Sequence, residues 1–129
     1  IPGWGGTQRL PRVIGVHPAL EMITSGEPVN AAKAVKIGLV FDAVPLDQME
    51  AVGRSVIDYA HQTGEWKKLR EKKEQPVGLT QDQAMFMFAI WQGGIFGKTK
   101  GQYPAPLAAL DAVREGCNVP LQELSLIHI

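Results

Sequence analysis

Glycines and helix-capping residues divide this chain into short segments, and their spacing strongly limits how it can fold. Of 129 residues, 14 are glycine and nine are proline. Gly15, Gly26 and Gly38 each follow a helix-like stretch, the place of a C-terminal helix cap. Asn30 is a typical N-cap. This punctuation predicts a chain of short helices.

The predicted helices are about six in number. Pro11 lies where a short helix over residues 9–14 is started or interrupted, and His17 is predicted to cap the next helix, with Pro18 at its first position. Further helices are predicted from residue 31, from 47, over 84–95 and over 104–116. Capping boxes are expected at two N-termini, Asp47 with Glu50 and Thr80 with Gln83.

Two of these helices carry marked apolar patterns. The helix over 84–95 is apolar nearly all round, which predicts burial on several sides. The helix after Asp47 is amphipathic, with an apolar face formed by Leu46, Met49, Val52, Gly53, Val56, Ile57 and Ala60.

One segment is predicted to be a strand. Residues 39–44, LVFDAV, are short, rich in β-formers and bounded by Gly38 and Pro45. A lone strand leaves its N–H and C=O groups unsatisfied. We therefore expect its partner strands in sequence outside these residues, and the chain to be a mostly α-helical fragment of an α/β fold.

Charge, cysteine content and the length of apolar runs bear on the partners and the compartment that we expect for this chain. Thirteen basic residues balance thirteen acidic ones, so nothing favours nucleic acid as a partner. The single cysteine, Cys117, fits a reducing compartment, and we expect the cytoplasm, with mitochondria as the alternative. No apolar run approaches the roughly 18–20 residues of a membrane span.

Several motif-like stretches do not meet the requirements of a site. Residues 93–99, GGIFGKT, lack the first glycine of a phosphate loop, because Gln92 stands there. The charged run over 65–75 is typical of a solvated helix face or linker. The three histidines have no metal-ligand spacing, so no metal site is expected.

The opening residues 1–12, IPGWGGTQRLPR, place three glycines ahead of a helical pattern. Such a turn can bring backbone N–H groups close to another molecule, although a tight turn before a helix is the simpler interpretation. The chain begins without an initiator Met, so we expect it to start in the middle of a protein.

Residues 1–45 resemble the enoyl-CoA hydratase/isomerase (crotonase) superfamily. The resemblance is carried by residues 1–12, then by ALEMI at 19–23, TSG at 24–26, NAA at 30–32 and KIGLV at 36–40. A second stretch, KTKGQYPAPL at 98–107, resembles the region joining hydratase and dehydrogenase in α-subunits of multifunctional fatty-acid oxidation complexes. Residues 125–129 depart from that pattern, and we expect residues 124–129 to be a frayed or non-native tail.

The resemblance implies a spiral crotonase-like fold and an acyl-CoA thioester as substrate. Two glutamates and two backbone oxyanion donors would act in the hydration of 2-enoyl-CoA, and the resemblance places all four before Ile1. Glu21, Glu27 and Glu50 match none of them. The isolated chain is therefore expected to be inactive.

The retained site residues would be those of the opening turn. The resemblance implies a backbone N–H of Gly3 that helps to hold the attacking water, and a substrate-binding wall formed by Pro2, Gly3, Trp4, Gly5 and Gly6. No cofactor is expected within this chain, whereas NAD would bind the dehydrogenase region of the parent protein. An oligomer or a complex with a thiolase subunit is the expected assembly.

The expected organisation has four parts: the end of the crotonase core over 1–64, a charged connector over 65–79, a helical extension toward the dehydrogenase region over 80–123, and the tail. Two alternatives remain open. One is a stand-alone crotonase-family hydratase or isomerase, and the other is a non-catalytic helical interaction module.

Overall fold

A computed structural model describes the backbone of residues 4–127 and the side chains of residues 4–124. These residues form eight α-helices, and a single 3-10 turn, Leu46–Gln48, precedes the fourth. The α-helices are α1 (Gly6–Ile14), α2 (Val16–Ser25), α3 (Ala31–Lys36), α4 (Met49–Thr63), α5 (Glu65–Glu74), α6 (Gln81–Thr99), α7 (Pro104–Gly116) and α8 (Leu121–Ile127).

The mostly helical prediction is confirmed, but two helices were missed. The charged run folds as α5, and the segment after Pro120 forms α8. No helix within the described range is long and apolar enough to cross a membrane.

The predicted strand over 39–44 is wrong, since residues 4–127 contain no strand. The backbone N–H groups of Leu39 and Val40 donate to the carbonyl of Ala34, at 2.9 and 3.5 Å. These two hydrogen bonds complete the C-terminal cap of α3. Gly38, which precedes Leu39, has a left-handed conformation with φ 75°. Leu39 and Val40 thus belong to a helix cap, although both are β-forming residues. The Ala34 carbonyl accepts their N–H groups, whereas no partner strand is present among the described residues.

Several predicted caps are confirmed by their hydrogen bonds. Asn30 Oδ1 accepts from the Lys33 N–H at 2.8 Å. Thr80 and Gln83 form a reciprocal capping box, with bonds of 3.3 and 3.1 Å. Gly26 ends α2 with φ 67°. These caps depend on neighbouring residues alone, which is why sequence spacing revealed them.

Two predicted caps are wrong. Asp47 lies inside the 3-10 turn, and Gln48 occupies the N-cap of α4 without a side-chain cap. Glu50 instead accepts a bond from Arg54 Nη2 at 2.7 Å, one turn later. Further upstream, α2 begins at Val16 with Gly15 as N-cap, so His17 lies within the helix.

The core lies where α1, α2 and α7 meet, with α6 packed on α7 and α2. Its buried apolar residues come from these four helices and the residue after α7. They are Ile14, Val16, Ala19, Leu20, Ile23, Phe88, Ile95, Ala109, Leu110, Val113 and Cys117. The first of the described helices is therefore packed against α7, the last but one.

Burial of α6 on several sides was predicted, and that prediction is wrong for the described residues. Only Phe88 and Ile95 are buried in this helix. Met85, Phe86, Ile90 and Phe96 remain between 57% and 70% exposed. The amphipathic α4 is similar, because it has no buried residue and its predicted apolar face leaves Met49 and Ile57 more than half exposed.

Candidate functional site

The turn at the start of the described chain combines a strained backbone with an exposed aromatic side chain. Trp4 has φ 55°, a left-handed conformation that costs a non-glycine residue about 1–2 kcal/mol. Its side chain is 96% exposed. Trp4 therefore contributes nothing to the core of the described residues. The candidate residues Pro2 and Gly3 lie outside the described residues.

Gly5 connects this turn to α1. It has φ 75° and occupies the N-cap position, and its carbonyl accepts from the N–H groups of both Gln8 and Arg9 at 3.0 Å. A Cβ at Gly5 would make only an ordinary contact with Arg9. Glycine is therefore needed here for its backbone conformation and not for space.

The N-terminus of α1 supplies the chemistry available at this turn. The first N–H groups of a helix have no acceptor inside the helix, although the N–H of Gln8 here already donates to the Gly5 carbonyl. The helix dipole places partial positive charge at this end. No acidic side chain lies in the first turn of α1 to compensate that charge. The end that begins at Gly6 can thus donate to a carbonyl oxygen, a carboxylate or a water.

Behind the turn, Gln8 and Arg12 tie α1 to the end of α7. Gln8 Nε2 donates to the Ala112 carbonyl at 2.7 Å. Arg12 Nη2 donates to the carbonyls of Gly116 and Val119 at 2.9 and 2.6 Å, while its Nη1 donates to the carbonyl of Gln8 at 2.7 Å. We call Gln8 and Arg12, with these acceptors, the α1–α7 latch.

Gly116 makes room for the latch. Gln8 is 3% exposed, and its Oε1 is buried without a hydrogen-bond partner. A Cβ at position 116 would overlap the Gln8 carboxamide. Glycine inside a helix costs about 0.5–1 kcal/mol relative to alanine, and here its presence is explained by the close approach of α1.

Burial shifts the pKa values of Arg12 and of Cys117, which lies close to the latch. Desolvation lowers the pKa of Arg12, against an opposing effect of Cys117. Burial raises the pKa of the Cys117 thiol to about 11, although the nearby guanidinium favours the thiolate. Cys117 is therefore a neutral thiol at physiological pH and lacks the thiolate character of a nucleophile.

An apolar groove of about 580 Å³ lies beside α6. The rings of His17 and Trp91 meet there at a centroid distance of 5.4 Å. None of its eight lining residues is a carboxylate, so the groove has no general acid or base of that kind. They are His17, Leu79, Gln83, Phe86, Met87, Ile90, Trp91 and Gly94.

The other motif-like residues have structural roles. Residues 93–99 lie in the last turns of α6 and form no phosphate-binding loop. Glu21 pairs with Lys33 at 3.1 Å, and Glu50 pairs with Arg54 at 2.7 Å, both at the surface. Among the described residues, no group of three His, Cys, Asp or Glu side chains could hold a metal ion.

Sequence reasoning did not identify the latch. Gln8 and Arg12 lie one turn apart, which places both on one face of α1. Nothing in the local sequence reveals acceptors that lie more than 100 positions later. The available signal was Gly116, a glycine at the end of an otherwise regular helix.

The described residues form a helical scaffold in which a glycine-containing turn leads into the N-terminus of α1. A family model described as Enoyl-CoA hydratase/isomerase matches residues 1–87, from the glycine turn into the first half of α6. The chain belongs to the enoyl-CoA hydratase/isomerase family, whose enzymes act on acyl-CoA substrates. Residues 88–129, including α7 and its part of the latch, lie outside the matched region.

Proposed function

We propose that this chain forms one wall of the acyl-CoA pocket of a crotonase-type enzyme, through residues 2–6. The observation that carries the proposal is the family match, which includes the turn where Trp4 is both strained and exposed. An aromatic side chain directed away from the core is suited to contact an acyl chain or thioester. Gly5 and Gly6 then lead into the N-terminus of α1.

The proposed reaction is hydration of a 2-enoyl-CoA to a 3-hydroxyacyl-CoA. Hydroxyl from water is added at C3 and a proton at C2, with two glutamates as general base and acid. An oxyanion hole stabilises the enolate charge on the thioester oxygen, worth about 3–4 kcal/mol per donor. In this proposal those groups precede Ile1, and Gly3 contributes a backbone N–H toward the water.

We further propose that the parent protein is the α-subunit of a multifunctional fatty-acid oxidation complex. The resemblance of residues 98–107 to the joining region supports this, and those residues span the end of α6 and the start of α7. The dehydrogenase region of that parent would use NAD to oxidise the 3-hydroxyacyl-CoA. An oligomer or a thiolase-subunit complex in the cytoplasm is the corresponding assembly.

The proposal is tested by comparing this chain with its parent. The purified 129-residue chain is expected to show no hydration of crotonyl-CoA, because in this proposal both catalytic glutamates and both oxyanion donors precede Ile1. The parent protein is expected to hydrate it. Hydration by the isolated chain would refute the placement of both glutamates before Ile1.

A matched pair of variants in the parent tests the pocket wall. Trp4→Ala is expected to raise KM for enoyl-CoA several-fold, because it removes the exposed indole of the turn. Trp66→Ala removes a partly exposed indole in α5 and is expected to leave KM unchanged. Equal KM values for the two variants would overturn the role of Trp4.

One observation favours the alternative of a helical interaction module. The exposed apolar residues of α4 and α6 form faces that the described residues do not cover. Such faces are typical of surfaces that pack against another domain or subunit. A parent sequence without a glutamate shortly before Ile1 would favour this alternative over the enzyme.

A further inference from the structure

The latch joins the candidate pocket wall to a part of the chain outside the family match. Residues Ala112, Gly116 and Val119 supply the carbonyl acceptors, and all three follow residue 87. The donors, Gln8 and Arg12, lie in α1, whose first residue follows the turn directly. The structure thus connects the turn to the end of α7 through one helix.

The connection is short enough to transmit displacement. The Gly5 carbonyl is bonded by the N–H of Gln8, and the Gln8 side chain is bonded to α7. Arg12 also binds the carbonyl of Gln8, so both latch residues act on the same segment of α1. A shift of α7 against α1 would therefore reach the turn through a single residue.

We propose that Gln8 and Arg12 are positioning residues, which hold the turn at residues 4–6 in place by anchoring α1 to the C-terminal end of α7. Neither residue needs to touch the substrate. The pocket-wall role of the turn rests on the proposed function, whereas the anchoring itself does not. The helical extension is, in this proposal, part of the device that shapes the pocket.

Two features, one buried and one partly buried, support a positioning role over simple packing. Gln8 is almost fully buried and yet polar, and its carboxamide fits a space that only glycine at 116 leaves open. Arg12 bridges two carbonyls beyond or at the end of α7 while it also binds α1 itself. Planar, multidentate contacts of this kind fix orientation as well as distance.

The test uses the full 129-residue chain and amide hydrogen exchange read by NMR. In Arg12→Gln, the amides of Gln8 and Arg9, which bond to Gly5, are expected to exchange at least tenfold faster. The signals of Gly5 and Gly6 are expected to shift. Arg12→Lys keeps a donor and is expected to restore part of the protection, which simple loss of packing would not produce.

Gly116→Ala supplies an independent perturbation from the α7 side. It is expected to shift the same Gly5 and Gly6 signals, because the added Cβ displaces Gln8. Gly53→Ala is the matched control, since a Cβ there meets nothing within 4 Å. Should Gly116→Ala fail to fold, Arg12→Gln and Arg12→Lys decide the matter.

The outcomes separate this inference from the proposed function. Unchanged turn signals and exchange rates in Arg12→Gln, with changes confined to α7, would overturn the inference and show that Arg12 only caps α7. The KM for enoyl-CoA of Trp4→Ala in the parent protein is a separate arm, because the isolated chain holds only one wall of the proposed pocket. Altered turn signals in the latch variants, with an unchanged KM in Trp4→Ala of the parent, would support the anchoring and count against the pocket wall.

Discussion

Replacing Phe88 with alanine tests how strongly α6 is fixed to the core. Phe88 is 2% exposed and packs in the cluster shared by α2, α6 and α7. Truncation of a buried phenylalanine removes its transfer free energy and leaves a cavity, which together cost about 3–5 kcal/mol. Natural domains have about 5–15 kcal/mol in total, so a large part of the stability would be lost.

Phe86 provides a control on the same helix. It is the same residue type two positions away, and 70% exposed. With about a third of its surface covered, its truncation is expected to cost below about 1 kcal/mol. The two variants therefore differ only in which side of α6 they affect.

Urea denaturation of both variants measures the difference. With m of about 1–3 kcal/mol/M, a loss of about 3–5 kcal/mol should lower the unfolding midpoint of Phe88→Ala by about 1–5 M, and that of Phe86→Ala by much less. Equal losses for the two variants would refute the orientation of α6. A loss for Phe86→Ala that grows with protein concentration would show that a second copy covers that face.

Two further perturbations test a local cap and a buried thiol. Thr80→Ala is expected to lower the free energy of unfolding by about 1 kcal/mol, because it removes one half of the capping box, while Thr80→Ser retains it; similar losses in urea denaturation would contradict the cap. Burial raises the pKa of folded Cys117 to about 11. The contribution of the neutral thiol to the free energy of unfolding is therefore complete below the unfolded pKa near 9, and it is lost as pH rises toward 11. Urea midpoints of wild type and Cys117→Ala between pH 8 and 11 are therefore expected to converge, and a constant difference would contradict a buried neutral thiol.

Local hydrogen bonding explains which elements were predictable. Asn30, Gly26 and the Thr80–Gln83 pair act on residues within four positions, so their spacing was sufficient. The predicted strand over 39–44 is wrong because β-propensity is set largely by packing partners. Its N–H groups found an acceptor at Ala34 instead.

The candidate site also has one part that the sequence revealed and one part that it did not. The glycine turn was visible because three glycines stand together ahead of a helical pattern, and the structure shows that Gly5 has a left-handed conformation there. The latch was not visible, because its donors and acceptors are 104 and 107 positions apart for Gln8–Ala112 and Arg12–Val119. The prediction that α6 is buried on several sides is wrong for a related reason. Periodicity shows that a helix face is apolar, but it does not show what covers that face.

The latch also sets an order of events during synthesis. Chains emerge from the ribosome at about 5–20 residues per second, so the acceptors of α7 follow α1 by about 5–20 s. For that interval the buried amide of Gln8 and the guanidinium of Arg12 have only water or nearby backbone as partners. Of the described helices, α1 is synthesised first, and it reaches its native environment only when the end of α7 has been made.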